Sequence, residues 1–171
     1  MIFIGIGGNL LSKNFGSTPE VLAKALQVID AKVCAVVRCS PLYRSAPVPV
    51  TDQPDYINAV FELSTDISAS DLLNRLHEVE AEFGRVRTVI NAARTLDLDL
   101  LIYHDHIIEN KGENNLTVPH PRMDERAFVL LPLRDLVPDW VHPVIGWTIE
   151  ELIRDLAADQ RCERLPNDLA Q

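Results

Sequence analysis

The sequence predicts an α+β protein in which strands and helices follow the order βαββαβ, with further helices after them. Two strand-like segments, residues 33–39 and 56–63, follow each other between two helix-like segments, residues 17–30 and 68–84. The strict alternation of strand and helix that is typical of doubly wound sheets is therefore broken.

The first half of the chain supports each of these elements. Residues 2–7 form a short apolar run rich in β-branched residues that stops at Gly7-Gly8-Asn9, which predicts a buried strand followed by a tight loop. Ser17 and Glu20 are typical of a helix N-terminus, and apolar residues recur at helical spacing up to about residue 30. Between the two middle strands, residues 40–49 contain several prolines, which predicts a shaped loop or a sheet edge.

The second half begins with another helix. Ser68 and Asp71 resemble a capping box, and the apolar stripe that follows ends at Gly84. The other predicted elements are a strand over residues 94–103, a return strand at residues 107–108, and helices over residues 128–137 and 149–156. This order is the split βαβ of a ferredoxin-like βαββαβ core. We expect an antiparallel sheet between helical layers, with extra C-terminal helices.

Length and composition favour one soluble domain over residues 1–171. A chain of 171 residues with a hydrophobic fraction of 47% can bury one sizeable core. No apolar run is long enough to span a bilayer, and no export signal is apparent, so we expect a cytoplasmic protein without a membrane partner. Three cysteines without CxxC spacing argue against a disulfide framework or a zinc site. A net charge of −9 disfavours nucleic acid as a partner.

The most informative stretch is the strand that carries Asp97 and Asp99. Strand side chains alternate between faces, so these two carboxylates point the same way, about 6.6 Å apart along the backbone, and the neighbouring leucines point the other way. Two carboxylates in this arrangement suit a pair of divalent cations in phosphoryl transfer, with Arg94 just upstream as a phosphate ligand. An amphipathic strand with one solvated face explains the pair equally well.

Several other motifs are weaker on their own. No P-loop motif occurs, so ATP would have to be bound by arginines and metal. A dinucleotide fingerprint near the N-terminus fails because Leu10 stands where a glycine is required. His77 reads as a surface residue of the second helix. His120 lies in a proline-bounded loop with Thr117 and Arg122, which suits either an anion site or a structural loop.

Taken together, the motifs resemble those of the hydroxymethyl-dihydropterin pyrophosphokinases of folate synthesis. The resemblance runs from residue 2 to about residue 140 and depends on the joint order and spacing of short motifs. These are Gly7-Gly8-Asn9-Leu10, Tyr43-Arg44-Ser45-Ala46-Pro47, residues 52–59, Gly84-Arg85-Val86-Arg87, residues 94–99, Val118-Pro119-His120 and Arg126-Ala127-Phe128.

The resemblance implies a magnesium-dependent transfer of pyrophosphate from ATP to the hydroxymethyl group of 6-hydroxymethyl-7,8-dihydropterin, with release of AMP. It implies two Mg²⁺ ions on Asp97 and Asp99, with Arg85 and Arg94 as the other catalytic residues. The ATP-binding positions that it implies are His77, Arg87, Leu100, Thr117, His120 and Arg126. Its pterin-binding positions are Ser45, Ala46, Val48, Tyr56, Asn58 and Phe128. The expected partners are thus the two small molecules, and we expect a monomer.

The chain also departs from the pattern of this family. A basic residue, a Trp, a Gly and a Pro commonly precede the arginine before the acidic strand, whereas Ile90-Asn91-Ala92-Ala93 stands here. The segment from Arg87 to Arg94 is one residue shorter than the common form, and Asn115 replaces a frequent arginine. We therefore expect either less complete closure over the pterin or another group that covers the site. We expect activity to be retained because the metal and triphosphate residues are intact.

Two other interpretations remain open from the sequence. One is a ligand-binding module that kept the scaffold and lost the chemistry, against which the intact Asp97, Asp99, Arg94 and His120 argue. The other is an ATP-using transferase that acts on a different flat heterocycle.

Overall fold

The computed structural model describes residues 1–48, 51–85, 93–109 and 116–166. Within these ranges the elements, in chain order, are β1 (Ile2–Gly8), α1 (Thr18–Lys32), β2 (Ala35–Cys39), β3 (Tyr43–Ser45), β4 (Tyr56–Ser64), α2 (Ala69–Glu82), β5 (Asp97–Tyr103), β6 (Ile108–Glu109), β7 (Thr117–Val118), α3 (Ala127–Leu136), α4 (Ile149–Asp155) and β8 (Cys162–Arg164). The predicted βαββαβ succession is confirmed, with one short strand added between β2 and β4.

The main sheet is antiparallel and has β1 and β4 at its centre. β1 pairs with β4 on one side and with β5 on the other. Both β2 and β3 pair with β4, one after the other along its length, and β8 pairs with β3. The sheet therefore brings the loop after β1 close to the beginning of β5, where the two aspartates lie.

The proline-rich segment differs from its prediction. It contains β3, which has β4 on one side and β8 on the other, so these three residues are neither a loop nor a sheet edge. Pro41 and Pro47 lie outside the strand and leave its hydrogen-bonding groups available. The partner that covers the edge comes from the C-terminal part of the chain, which local composition does not reveal.

Helical layers cover both faces of the sheet. Ile4 and Leu98 belong to a core cluster with Leu22 of α1 and Leu76 of α2. Residues that point to the opposite face, such as Phe3, form a second cluster with α3 and α4. An α+β architecture with a sheet between helical layers and additional C-terminal helices is thus present.

β5 separates its polar and apolar side chains as predicted. Leu98 and Leu100 are buried in the core beneath α1 and α2, whereas Asp97, Asp99 and Leu101 line a cavity on the other face. A register shift in the β1–β5 pairing lies beyond this point, so it does not disturb the alternation of the aspartates.

Two smaller predictions concern the strand after β5 and membrane-spanning helices. The expected return strand at residues 107–108 is displaced by one residue to β6, and β6 pairs with β7 in a separate two-stranded sheet. Among the described helices, none has the length and apolar character needed to cross a membrane.

Candidate active site

A cavity opens on the α3 face of the sheet, above β1, β4 and β5. Ten of the residues singled out from the sequence line it: Ser45, Ala46, Val48, Tyr56, Asn58, Arg94, Asp97, Asp99, Arg126 and Phe128. They come from separate parts of the chain, and the antiparallel order of the sheet brings them together. We call the part around Asp97 and Asp99 of β5 the charged side of the cavity, and the part formed by β3, β4 and Phe128 its uncharged side. The two meet where Arg126 lies over the Phe128 ring.

Asp97 is held by two arginines. Arg94 Nη1 donates to Asp97 Oδ2 at 2.8 Å, and Arg85 Nη1 donates to Asp97 Oδ1. The side chains of all three residues are largely buried, with about a fifth of each surface exposed. Charge-assisted hydrogen bonds of this kind fix the position of the carboxylate.

Glu80 of α2 braces this arrangement and was not predicted from the sequence. Its side chain is 1% exposed, and its Oε1 accepts hydrogen bonds from Arg85 Nη1 and, at 2.7 Å, from the backbone N–H of Leu98. Glu80 therefore connects α2 to β5 and to the arginine that holds Asp97. A signal was present, because Glu80 falls on the apolar stripe of its helix between Leu76 and Phe83, where a charge requires a buried partner.

Asp99 has weaker compensation than Asp97. Arg126 Nη1 lies 3.7 Å from Asp99 Oδ2. Burial and the neighbouring charge of Asp97 raise the pKa of Asp99 from its ordinary value of 3.8 to about 6. Two adjacent carboxylates with incomplete compensation suit a hard divalent cation, because such ions prefer carboxylate oxygens together with phosphate oxygens of a substrate. Asp97 and Asp99 are the residues that could hold it.

The backbone of Arg94 is fixed by the loop that follows β1. The N–H groups of Asn9 and Leu10 both donate to the carbonyl oxygen of Arg94, at 2.9 and 3.2 Å. The Asn9 side chain accepts from the Arg94 N–H at 2.9 Å and donates to Gln53 and to the carbonyl of Pro54. This loop therefore joins the charged side of the cavity to its opposite side.

Glycine is required at the end of β1, just before this loop, because other segments of the chain approach closely there. A Cβ atom on Gly8 would lie 2.4 Å from the carbonyl oxygen of Thr95, and one on Gly7 would lie 2.5 Å from Asn58 Oδ1. The two glycines at this predicted end of the strand thus contribute to the site directly. Without a Cβ they leave room for the segment before β5 and for the side chain of Asn58.

The uncharged side of the cavity is built around Asn58. This residue is buried, and its Nδ2 donates to Ser45 Oγ at 3.0 Å. Tyr56 supplies an aromatic ring whose hydroxyl donates to Gln53 Oε1 at 3.3 Å. Phe128 supplies a second ring, over which Arg126 Cζ lies 5.4 Å from the centroid. An oriented carboxamide and aromatic rings in one cavity are the chemistry that recognises a flat, hydrogen-bonding heterocycle.

His120 is near enough to Arg126 to be influenced by its charge, and it is uncharged at neutral pH. Its backbone N–H donates to the carbonyl of Leu101 at 2.9 Å, and its Nδ1 accepts from the N–H of Arg122 at 3.2 Å, which assigns the ring proton to Nε2. Burial, followed by the charges of Arg126 and Arg122, lowers the pKa of His120 to about 4. A neutral imidazole is thus available as a hydrogen-bond donor.

The remaining predicted residues lie around this centre. His77 lines a separate cleft with Glu80, Ala81 and Arg85, on the side of the site where Arg85 meets Asp97. Thr117 lies in β7 and is partly buried. The side chain of Leu100 lies in the core on the opposite face of the sheet, so a nucleotide could contact only its backbone.

Some predictions fall outside the described part of the chain, and some lining residues were missed. Arg87, residues 90–92 of the altered loop and Asn115 are not within the described ranges. Thr51 and Gln53 line the cavity without having been singled out as site residues. Gln53 lies in one of the motifs quoted above, but its contacts to Asn9 and Tyr56 depend on the tertiary structure.

Comparison with known proteins decides the family. A model of the family described as 7,8-dihydro-6-hydroxymethylpterin-pyrophosphokinase (HPPK) matches residues 3–138. The chain belongs to the HPPK family. The match covers β1 through α3 and so includes every residue of the cavity described above.

Two bacterial relatives agree with this family. The 2-amino-4-hydroxy-6-hydroxymethyldihydropteridine pyrophosphokinase of Synechocystis is 41% identical over 154 residues, which cover 90% of this chain and 74% of that protein. The enzyme of the same name from Haemophilus influenzae is 40% identical over 157 residues, which cover 91% of this chain and 92% of that protein. Enzymes of the HPPK family are ATP-using transferases.

Solved structures of HPPK-containing proteins share the fold. The HPPK-DHPS of Plasmodium falciparum, crystallised with pterin and p-hydroxybenzoate, superposes with a TM-score of 0.70 over 90% of this chain at 13% sequence identity. This chain spans 42% of that longer chain. At this identity the likeness concerns the fold alone.

Proposed function

We propose that this chain transfers pyrophosphate from ATP to the hydroxymethyl group of 6-hydroxymethyl-7,8-dihydropterin and releases AMP, as a step of folate biosynthesis. One observation carries the proposal beyond family membership. A pair of carboxylates in contact with Arg85, Arg94 and Arg126 lines the same cavity as the Asn58 carboxamide and two aromatic side chains. The first group suits a triphosphate with its metal, and the second suits a pterin.

The pterin binds on the uncharged side. Asn58, oriented by Ser45, offers a donor and an acceptor to the pterin edge, and Tyr56 and Phe128 provide aromatic surface for its ring. Ala46 and Val48 complete this side of the cavity. The hydroxymethyl group then faces the aspartates, because the charged residues occupy the other side of the same cavity.

ATP binds on the charged side. Arg85 and Arg94 already face this region through their contacts with Asp97, and Arg126 approaches Asp99. Guanidinium groups match the geometry of phosphate oxygens, and three of them offset the charge of a triphosphate. Arg87, Leu100 and Thr117 remain predicted nucleotide contacts, as do His77 and His120.

Asp97 and Asp99 hold the magnesium, for which two ions are proposed. The donor set fits, since hard oxygen ligands on one face of a rigid strand leave the other coordination positions to phosphate oxygens and water. When bound, Mg²⁺ neutralises charge on the transferred group and aligns its oxygens. The raised pKa of Asp99 supports the assignment, because a nearby cation would stabilise its ionised form.

The reaction requires no residue acting as a covalent nucleophile. The hydroxymethyl oxygen attacks the β-phosphorus of ATP and loses its proton, the bond from the β-phosphorus to the α,β-bridging oxygen breaks, and AMP leaves with that oxygen. Positioning of the two substrates and neutralisation of charge by the arginines account for most of the rate enhancement. We assign no general base.

The decisive experiment measures AMP release from ATP and Mg²⁺, with and without 6-hydroxymethyl-7,8-dihydropterin. We expect pterin-dependent AMP release from the wild type. In Asp97→Ala and Asp99→Ala the rate of AMP release should fall by about a thousandfold or more, as is typical when a principal electrostatic group is removed. Asp105→Ala is the matched control, because this exposed aspartate lies in the turn just after the same strand. Equal rates for wild type and Asp97→Ala, or no pterin dependence, would refute the proposal.

We also propose a ferredoxin-like topology for the core. The strand order β5-β1-β4, continued by β2 and β3, with antiparallel neighbours throughout, supports this assignment. The C-terminal elements support a single domain over residues 1–171, since α4 packs in the same cluster as Phe3 and β8 extends the main sheet.

Cellular context forms a further part of the proposal. All three cysteines are unpaired, which is consistent with a reducing cytoplasm. Since each substrate-side and phosphate-side residue named above comes from one chain, a monomer is sufficient for the chemistry. Light scattering during size-exclusion chromatography and cell fractionation test these two points.

A further inference from the structure

We propose that Gln160 is a positioning residue for Arg126 and Phe128, although it lies outside the segment that matches the HPPK family model. Its carboxamide makes two hydrogen bonds to backbone groups on either side of Arg126. Gln160 Oε1 accepts from the N–H of Ala127 at 2.9 Å, and Gln160 Nε2 donates to the carbonyl of Glu125 at 2.8 Å. This inference rests on the function proposed above.

These bonds replace a cap that α3 lacks. The first N–H groups of a helix have no acceptor within the helix, and Ser, Thr, Asp or Asn usually supplies one from the N-cap position. Here the N-cap residue is Arg126, whose side chain makes no capping hydrogen bond. Because Gln160 provides the acceptor from another part of the chain, the guanidinium of Arg126 can reach Asp99 and the ring of Phe128 instead.

The residues that follow Gln160 bond to the segments around Ser45 and Tyr56, on the other side of the cavity. The carbonyl of Arg161 accepts from the N–H of Ala46 at 3.2 Å, and Cys162 pairs with Ser45 in the β3–β8 ladder. Arg161 Nη2 also donates to Asp55 Oδ1 at 2.6 Å, immediately before Tyr56. Residues 160–162 thus fix, relative to each other, the strand that carries Ser45 and the helix that carries Phe128.

The residues that contact the substrates therefore differ from the residues that set the distance between those contacts. Asn58 and Ser45 belong to the sheet, whereas Phe128 belongs to α3 and Arg126 is its N-cap residue. Rigid support of catalytic and binding groups affects the rate strongly, because small displacements of such groups are costly. Loss of the Gln160 bonds should therefore weaken both the pterin contact through Phe128 and the phosphate contact through Arg126.

The test compares Gln160→Ala with Gln27→Ala, which removes an exposed glutamine from α1 on the far side of the sheet. We expect kcat/KM to fall by about ten- to a hundredfold in Gln160→Ala and to stay at the wild-type value in Gln27→Ala. Gln160→Glu keeps an acceptor for the Ala127 N–H, and a negative charge is favourable at a helix N-terminus, so this variant should be rescued in part. Thermal unfolding is recorded for each variant.

A double-mutant cycle separates positioning from general destabilisation. The affinity for α,β-methylene-ATP, in which the bond to be cleaved is blocked, is measured with Gln160→Ala in the wild-type and Arg126→Ala backgrounds. If Gln160 acts through Arg126, the loss of affinity that it causes should largely disappear when Arg126 is absent. The inference would be overturned if the fold-losses of affinity caused by Gln160→Ala and Arg126→Ala simply multiplied in the double variant. Equal affinities for Gln160→Ala and Gln27→Ala would also overturn it.

This design keeps the two proposals distinct. Absence of pterin-dependent AMP from the wild type refutes the proposed function. Normal wild-type activity together with an unaffected Gln160→Ala variant refutes only the positioning role.

Discussion

Asn9 and Arg94 are bonded to each other in both directions. The Asn9 N–H donates to the carbonyl of Arg94 at 2.9 Å, and the Arg94 N–H donates to Asn9 Oδ1 at 2.9 Å. The guanidinium of Arg94 then reaches Asp97. A short loop at the end of β1 therefore determines where the charged side of the cavity begins, although Asn9 itself carries no charge.

Replacing Asn9 with Ala should lower both stability and activity. The variant leaves the partly buried N–H of Arg94 without its acceptor and frees the segment that holds Arg94. The cost should lie at the lower end of the about 1–3 kcal/mol that is typical of a fully buried group. We expect a lower free energy of unfolding in urea and a lower kcat/KM. Asn14→Ala, which truncates an exposed asparagine in the loop before α1, is the control. Identical unfolding curves for the two variants would show that the reciprocal bonds are unimportant.

Gly8→Ala should be poorly tolerated for a steric reason. Its Cβ would lie 2.4 Å from a backbone oxygen, that of Thr95, so the two segments must separate. The stability control is Gly5→Ala, because a Cβ there meets only side-chain atoms of Leu101 at 3.5 Å and beyond. Thermal unfolding should show a clearly lower Tm for Gly8→Ala alone. A Tm for Gly8→Ala as high as that of Gly5→Ala would contradict the close approach.

Asp99→Asn should stabilise the metal-free protein while removing activity. The pKa of Asp99 is raised to about 6 in the folded state, so between about pH 4 and pH 6 the native state binds more protons than the unfolded state. Stability then falls as the pH rises through this window, and the cost persists above it. Asparagine carries no such charge.

The measurement is Tm against pH with a chelator present. Asp99→Asn should have a higher Tm than wild type at pH 7.5, and the difference should shrink toward pH 4, where the wild-type carboxyl is protonated as well. Asp105→Asn, at an exposed position, should show no such trend. A Tm for Asp99→Asn below that of wild type at pH 7.5 would be the opposite result.

Glu80 should matter through its charge and through its acceptor oxygen, and two substitutions separate these roles. Glu80→Gln keeps an acceptor for the Leu98 N–H but removes the negative charge beside Arg85. We therefore expect a fold close to native and an activity reduced by about tenfold, because one charge-assisted hydrogen bond is weakened. Glu80→Ala leaves the buried Arg85 contact incomplete and should cost about 3–5 kcal/mol.

Urea unfolding and steady-state AMP release, measured on both variants, distinguish these effects. Glu78→Gln is the matched control, since this residue is exposed on the same helix. Full activity of Glu80→Gln would mean that Arg85 does not depend on Glu80 for its position.

Much of the fold was predictable because its signals are local. The alternation along β5 assigns Asp97 and Asp99 to one face and the leucines to the other, and the caps at Ser17 and Ser68 mark helix starts within a few residues. The joint spacing of short motifs indicated the family, and through it the residues that line the cavity.

The sequence by itself determined the order of the elements, the polar face of β5 and the chemical types available for the site, because each depends on residues a few positions apart. Only the tertiary structure decided that Glu80 supports Arg85, that β8 covers β3 and that Gln160 caps α3. These contacts join residues distant in sequence, whose pairing depends on how the layers pack, and periodicity along the chain carries no information about that packing.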